Sequence, residues 1–376
     1  MNHMKTQVYL VRHIESEGNI CRRNDAQFDC ISTRKGLMQA KALADRFDGI
    51  RVDALYSSDA RRSIDTALPI SRRKNLPIRL RRLLREYTIG CWEGTSMGDT
   101  ARSYPGMWET WCKEPWNHRI PGADPFEIVA DRGIWIIREM ARENPGKTVV
   151  AITHSCTLVC TLCRLMGKPM SFYKNVDSGD NTAVTLVEVD KNGNIEIGFV
   201  SDISHLPDNL RRSDYTGRTL DQVFAFDTVT DRNMEAFRQM YSAWCASKGT
   251  AFTEEGAAKL LGRTKDNPRR VLLPALLDRN CGIFAVRDDE NLPSDHGLMD
   301  VFYMTEDISN RGNAAQAFGE GFDTLRREGK RYVVLKDDGT RFFDFFFDRF
   351  LFEDMPGMPG YKRLRITVPG VEGPVY

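Results

Sequence analysis

The residues best equipped for chemistry lie within residues 8–19, VYLVRHIESEGN, where Arg12 and His13 follow an apolar run and Glu15, Ser16 and Asn19 stand on the turn beyond. A guanidinium is a planar, permanently charged donor for phosphate oxygens. A neutral imidazole can attack phosphorus when its other nitrogen is held by a hydrogen bond. An Arg-His pair alone reads equally well as a surface loop. It gains weight because residues 147–153, KTVVAIT, deliver His154 and Ser155, and residues 54–67, ALYSSDARRSIDTA, open into Arg61 and Arg62. Three apolar stubs thus offer two histidines and two or three arginines, the makings of a phosphate site with a nitrogen nucleophile.

The elements that must position them follow from patterning. The run at 8–11 is apolar without alternation, which predicts a strand buried on both faces inside a parallel sheet, where ligands bind at the carboxyl ends. Residues 52–56 and 147–153 predict two more strands of this kind. A helix is expected over 33–47, with Thr33 as its cap and Leu37, Ala40, Leu43, Ala44 and Phe47 as its apolar face. A second carries the arginines to about residue 72, and a third spans 126–143. Residues 183–189 alternate as a strand before the Asn192-Gly193 turn.

Six blocks, in order, carry a resemblance: RHIESEGN, STRKGLMQAKALA, YSSDARRSIDTA, LREYTIGCWEG, VVAITHS and SDISHLPDNL. Over roughly the first 205 residues the chain resembles the histidine phosphatase superfamily, the phosphoglycerate-mutase-like fold. The resemblance implies a three-layer α/β/α domain with His13 as the nucleophile that takes the phosphoryl group. It implies Arg12, Arg62, His154 and Asn19 as ligands of the phosphate oxygens, and Glu86 as the proton donor. Arg62 is preferred to Arg61 because the family's arginine lies three residues after the position of Asp59 and four before that of Thr66. The implied substrate is a small phosphorylated metabolite, and no metal is called for. Ile14 departs from the family's usual glycine, a β-branched residue that would crowd the pocket or restrict the backbone. The alternatives are a phosphate-binding protein with a disabled site, and a phosphomutase; the short insertion over the site favours hydrolysis.

Composition narrows the setting. Lys and Arg number 53 against 52 Asp and Glu, a balance that argues against a general nucleic-acid or membrane binder. No apolar run is long enough to span a bilayer and the N-terminus lacks a signal peptide's apolar core, so a soluble, cytoplasmic chain is expected. The nine cysteines form no disulfide framework. Cys156, Cys160 and Cys163 have the spacing of an iron-sulfur motif, but the same spacing places three thiols on one helix face, and burial as small hydrophobes is the favoured reading. The basic run at 72–82 reads as a solvated connection. The resemblance implies a variable cap over the site at residues 93–125; Trp92, Trp108, Trp111 and Trp116, with Met107, His118 and Arg119, stand in or beside it, two of the tryptophans as a satellite core and the rest as a substrate wall.

Beyond residue 205 the texture changes. Residues 206–218 read as a polar linker, and residues 219–376 as a second, smaller mixed α/β domain whose order of elements resembles the GNAT acyltransferase fold. The resemblance implies acetyl-CoA, or another acyl-CoA, as co-substrate, with Ser309, Gly312, Asn313 and Ala314 as the loop and helix start that meet its pyrophosphate. Phe347 stands where a tyrosine often protonates the thiolate, Leu351 replaces a glycine and Thr340 an asparagine. Asp300, Tyr303 and Glu306 lie where a general base would sit, and none is assigned a catalytic role. The fusion suggests successive steps on related intermediates. The sequence leaves homo-oligomerisation open.

Overall fold

The computed structural model describes residues 5–211, 223–308, 311–337, 339 and 341–368. The first half runs β1 (Thr6–Arg12), α1 (Glu17–Cys21), α2 (Arg34–Arg46), β2 (Ala54–Ser57), α3 (Arg61–Lys74), β3 (Ile78–Leu80), α4 (Met97–Ser103), α5 (Pro105–Lys113), α6 (Phe126–Glu143), β4 (Thr148–Thr153), α7 (Ser155–Leu165), β5 (Val184–Val189) and β6 (Ile195–Asp202). Its sheet has the order β3-β2-β4-β1-β5-β6; the first four strands are mutually parallel, and β5 and β6 are antiparallel additions.

Alternate residues of β1 feed opposite layers, as expected of a strand buried on both faces. Val8 and Leu10 pack with Ile136, Ile137 and Met140 of α6, and Tyr9 and Val11 with Leu43 and Phe47 on the α2 side and Ala67 and Ile70 of α3. Helix α2 starts where its cap predicts, the Thr33 hydroxyl accepting from the Gly36 N–H at 3.0 Å. The basic run holds one unforeseen element, the three-residue edge strand β3, with Arg79 and Arg81 laid over the Tyr56 ring.

Trp92 is fully buried, and Trp108, Trp111 and Trp116 pack partly buried against the same cluster, so the expected division into core and wall gives way to one aromatic mass. Cys156, Cys160 and Cys163 are buried on α7 in that cluster. No helix among the described residues is long and apolar enough to cross a membrane.

The first part of the expected linker, residues 206–211, is docked on the first half. Leu206 and Leu210 are buried, and Gln39 and Lys35 of α2 donate to the carbonyls of Leu210 and Arg211. Two leucines in a polar stretch suffice to dock it; the rest of the expected linker, 212–218, lies outside the described residues.

The second half runs β7 (Ala225–Thr228), α8 (Met234–Ser247), α9 (Glu254–Gly262), β8 (Val271–Leu276), β9 (Arg279–Asn280), β10 (Gly282–Arg287), β11 (His296–Met304), α10 (Arg311–Arg327), β12 (Tyr332–Lys336), α11 (Arg341–Arg349), β13 (Glu353–Asp354) and β14 (Tyr361–Arg365). The main path of its sheet is β13-β14-β12-β11-β10-β8-β7, and β11 with β12 is its one parallel pair among the described residues. Helices α8 and α9 cover one face, and α10 and α11 the other.

Candidate active site

Strand register builds the site. Arg12 pairs with Thr153 and Ser57 with Ile152, so the chain leaves β1, β4 and β2 at adjacent points of one sheet edge. The pairing continues one residue further: His13 N–H donates to the Thr153 carbonyl and Ser58 N–H to that of Ile152, both at 3.0 Å. His13 and His154 are thereby brought together, their ring centroids 5.0 Å apart.

His13 is buried, and its Nδ1 lies 2.7 Å from the carbonyl oxygen of Ile14. A carbonyl only accepts, so Nδ1 carries the proton and Nε2 keeps the lone pair. Burial holds the ring's pKa well below the ordinary 6.5, with the Arg62 and Arg12 guanidiniums adding to the shift. The neutral form, the nucleophilic one, is therefore the stable one. The backbone carrying Ile14 is not in the left-handed region. Its side chain is fully buried, and its N–H donates to the Thr66 hydroxyl at 2.9 Å. A glycine is not required there, and the expected crowding is met by burying the side chain.

Arg62 is fixed from several sides. It donates to the carbonyls of Phe28, Asp25 and Ala26 at 3.1, 2.8 and 2.9 Å and stands 3.3 Å from His154 Nδ1, while its buried Nε has no acceptor among the described residues. A directionally fixed fork with a spare buried donor is suited to an anion. Arg61, by contrast, pairs with Asp65 on the same helix. Arg12 is anchored by Nη1 on the Gly179 carbonyl, at 2.7 Å. His154 Nε2 faces the hydroxyls of Ser58 at 2.9 Å and Ser63 at 3.3 Å; burial first, and then Arg62 and His13, keep its pKa well below normal. Asn19 reaches the centre through Asn181, whose amide nitrogen lies 2.9 Å from the His13 carbonyl and 3.3 Å from Asn19 Oδ1.

Glu86 sits at the N-terminus of α7, next to His154. Its Oε1 accepts from the N–H groups of Thr157 and Tyr87 and from the Thr157 hydroxyl, at 2.9 to 3.1 Å, and its Oε2 from Cys156 N–H at 2.9 Å. Among the described residues Oε2 has that one donor, which leaves a lone pair for a proton.

Ser58, Ser63, Thr66 and Asn181 escaped assignment in the sequence, because each is a single polar residue whose approach depends on tertiary packing. Glu93 was passed over too. It lies inside the quoted block GCWEG, accepts from Phe28 and Gln27 N–H, and has an Oε2 without a donor among the described residues. Burial pushes its pKa up to about 7 against the pull of those two N–H groups, with Asp25 adding to the rise.

The residues expected to meet acyl-CoA lie on other elements. Gly312, Asn313 and Ala314 lie in the first turn of α10, and Asn313 and Ala314 are buried, Ala314 in the cluster that also holds Cys21 of α1. Small residues here serve close packing. Ser309 and Thr340 lie outside the described residues. Both Asp300 oxygens are taken, by Arg263 at 2.6 and 2.9 Å and by Arg287 at 2.6 Å, which removes it as a free base. It borders a cavity of ≈ 570 Å³ between α8, α9 and the sheet.

Histidines withdrawn wholly or partly from solvent make stability pH-dependent. His13, His154 and His205 all have lowered folded pKa values, His205 to about 4, mainly through burial. Below the unfolded value of 6.5 the unfolded chain binds more protons, so stability falls as pH drops from about 6.5 towards 4. Thermal midpoints between pH 8 and 5 check this, and His205→Gln is expected to flatten the decline; an equal slope would refute the assignment.

The first half of the chain is similar to known proteins. Phosphoserine phosphatase 1 of Hydrogenobacter thermophilus is 28% identical over 189 residues, 50% of this chain and 89% of that protein. The metal-independent phosphoserine phosphatase of Arabidopsis thaliana is 30% identical over 163 residues, 43% of this chain and 68% of that protein. The solved structure of Bacillus stearothermophilus YhfR superposes with a TM-score of 0.51 at 26% identity, over 53% of this chain and 98% of that one. The sequence profile described as histidine phosphatase superfamily (branch 1) matches residues 8–200, more than half of the chain, and the chain belongs to that superfamily.

Proposed function

We propose that residues 1–205 act as a metal-independent phosphomonoesterase working through a phosphohistidine, with residues 206–218 as the connection and 219–376 as a second domain. The single observation that carries this reading is the His13 ring, held neutral with Nδ1 on the Ile14 carbonyl and Nε2 free to attack. His13 Nε2 forms a bond to phosphorus as the ester P–O bond breaks. Glu86 gives its proton to the leaving oxygen. Arg12, Arg62, His154 and Asn19 hold the equatorial oxygens, where charge develops. Water then attacks the phosphohistidine, its proton goes to Glu86, and inorganic phosphate leaves.

Two relatives are named phosphoserine phosphatases, which supports a small phosphorylated amino acid as substrate. The test is phosphate release from phosphoserine, phosphothreonine, phosphoglycerate and sugar phosphates under metal chelation. Phosphoserine is expected to lead the panel. Failure to hydrolyse any of them would defeat the reading.

For the second domain we propose a GNAT-like fold, supported by the order strand, two helices, antiparallel strands, helix, parallel strand, helix and a final strand pair. Phe347 has no hydroxyl and is buried against Phe343, with Lys362 over its ring at 5.5 Å, which weighs against acid catalysis from that position. Titration with acetyl-CoA tests the co-substrate: saturable binding supports it, and none reduces the domain to a structural module.

A further inference from the structure

The turn that follows His13 is charged, buried, and neutralised from the far end of the chain. Glu17, fully buried in α1, is met end-on by Arg326 of α10, Nη1 to Oε1 at 2.7 Å and Nη2 to Oε2 at 2.5 Å. Arg326 is itself steadied by its Nε on the Ile366 carbonyl at 2.6 Å. Glu15, two residues after the nucleophile, accepts from the Thr33 hydroxyl at 2.7 Å through one oxygen and from Arg349 of α11 through the other. Arg23 pairs with Glu320 at 2.6 Å and Asp323 at 3.2 Å, both on α10. The helices touch closely: a Cβ on Gly319 would lie 2.4 Å from that of Cys21, so only glycine admits this approach.

These carboxylates matter to an anion site. The Asp25 carboxyl is pushed up by desolvation, drawn down by Arg62 and raised again by Glu17, so the fields of Glu17 and of the phosphate-binding guanidinium overlap there. Unpaired, Glu15 and Glu17 would set two negative charges beside a site that must accept a dianion. The Glu15 carboxylate accepts through both oxygens and is locked in an ion pair.

We propose that Arg326 and Arg349 are positioning residues for the phosphate site, cancelling the charge of Glu17 and Glu15 and holding the turn after His13, so that the phosphatase half depends on its own C-terminal half. This rests on the phosphatase reading above. Neither guanidinium touches substrate; each acts through a carboxylate of the turn.

The test uses the full chain, an aryl phosphate for kinetics and inorganic phosphate for binding. Arg326→Met is expected to raise both KM and the phosphate Kd about tenfold, the order expected for one uncompensated charge near a dianion. Added salt should narrow that gap, with kcat changed less than KM. Arg326→Lys keeps the charge and loses the fork, and should hold the phosphate Kd near the wild-type value. The double variant Glu17→Gln/Arg326→Met removes both charges, protects folding if the single variant is unstable, and should restore Kd. A merely structural role would lower kcat with the folded fraction and leave KM and Kd unmoved, which overturns the inference, as would a Lys variant as impaired as Met. A wild type that neither hydrolyses esters nor binds phosphate removes the phosphatase reading, and the inference with it. An active wild type matched by Arg326→Met removes the inference alone.

Discussion

His13→Ala is expected to reduce phosphate release by about 10⁴-fold or more, because it removes the nitrogen proposed to form the covalent intermediate. The rest of the phosphate site survives the change. Arg62 is fixed by three carbonyls and His154 by two serines, none of which involves the His13 ring. Inorganic phosphate should therefore still bind, and the loss should fall on kcat. In the wild type, rapid quenching into alkali, where a phosphoramidate survives, should trap label on His13. A variant that keeps more than about one percent of the activity would mean that some other group attacks phosphorus. Because burial and the two arginines keep His13 neutral well below pH 6.5, its own protonation should not set the acid limb of kcat/KM near neutrality.

The parts of this machine that the sequence exposed are those written into contiguous runs. A strand buried on both faces has no alternation, so β1 and β4 are visible as apolar blocks, and the chemistry at their ends is visible as Arg12-His13 and His154. The α6 boundaries, Phe126–Glu143, are those its periodicity predicts. Elements set by tertiary contact were hidden. Strand β3 is three residues in a basic run, exposed at a sheet edge, and offers no pattern. Ser58 and Ser63 are ordinary until the end of β2 and the start of α3 bring their hydroxyls to His154 Nε2. The pairing of Glu17 with Arg326 joins residues 309 apart, and neither neighbourhood announces it. Glu86 is an intermediate case, assigned by resemblance alone, since nothing local says that its carboxylate will cap α7. The second half was read through an order of elements and a short glycine-containing motif, and Gly312 to Ala314 of that motif lie in the first turn of α10.

Glu86→Gln separates proton donation from binding. An alkoxide such as the serine side chain leaves phosphorus only if it is protonated as the bond breaks, so for phosphoserine kcat should fall by about 10²- to 10⁴-fold. A nitrophenolate leaves without help, so for an aryl phosphate the same substitution should cost little. The contrast between the two substrates is the diagnostic quantity. Glutamine keeps an oxygen to accept from Thr157 and Tyr87 but turns an NH₂ towards the Cys156 N–H, a donor against a donor, so some loss of stability is expected. That loss would lower both substrates' rates together and cannot produce a leaving-group dependence. Equal loss on both would remove Glu86 as the acid and direct attention to Glu93, the neighbouring carboxyl whose pKa is pushed up to about 7 by burial. In that event Glu93→Gln should reproduce the leaving-group dependence that Glu86→Gln lacks. If neither variant shows it, the leaving oxygen takes its proton from solvent, and the site's work is confined to His13 and the cations around it.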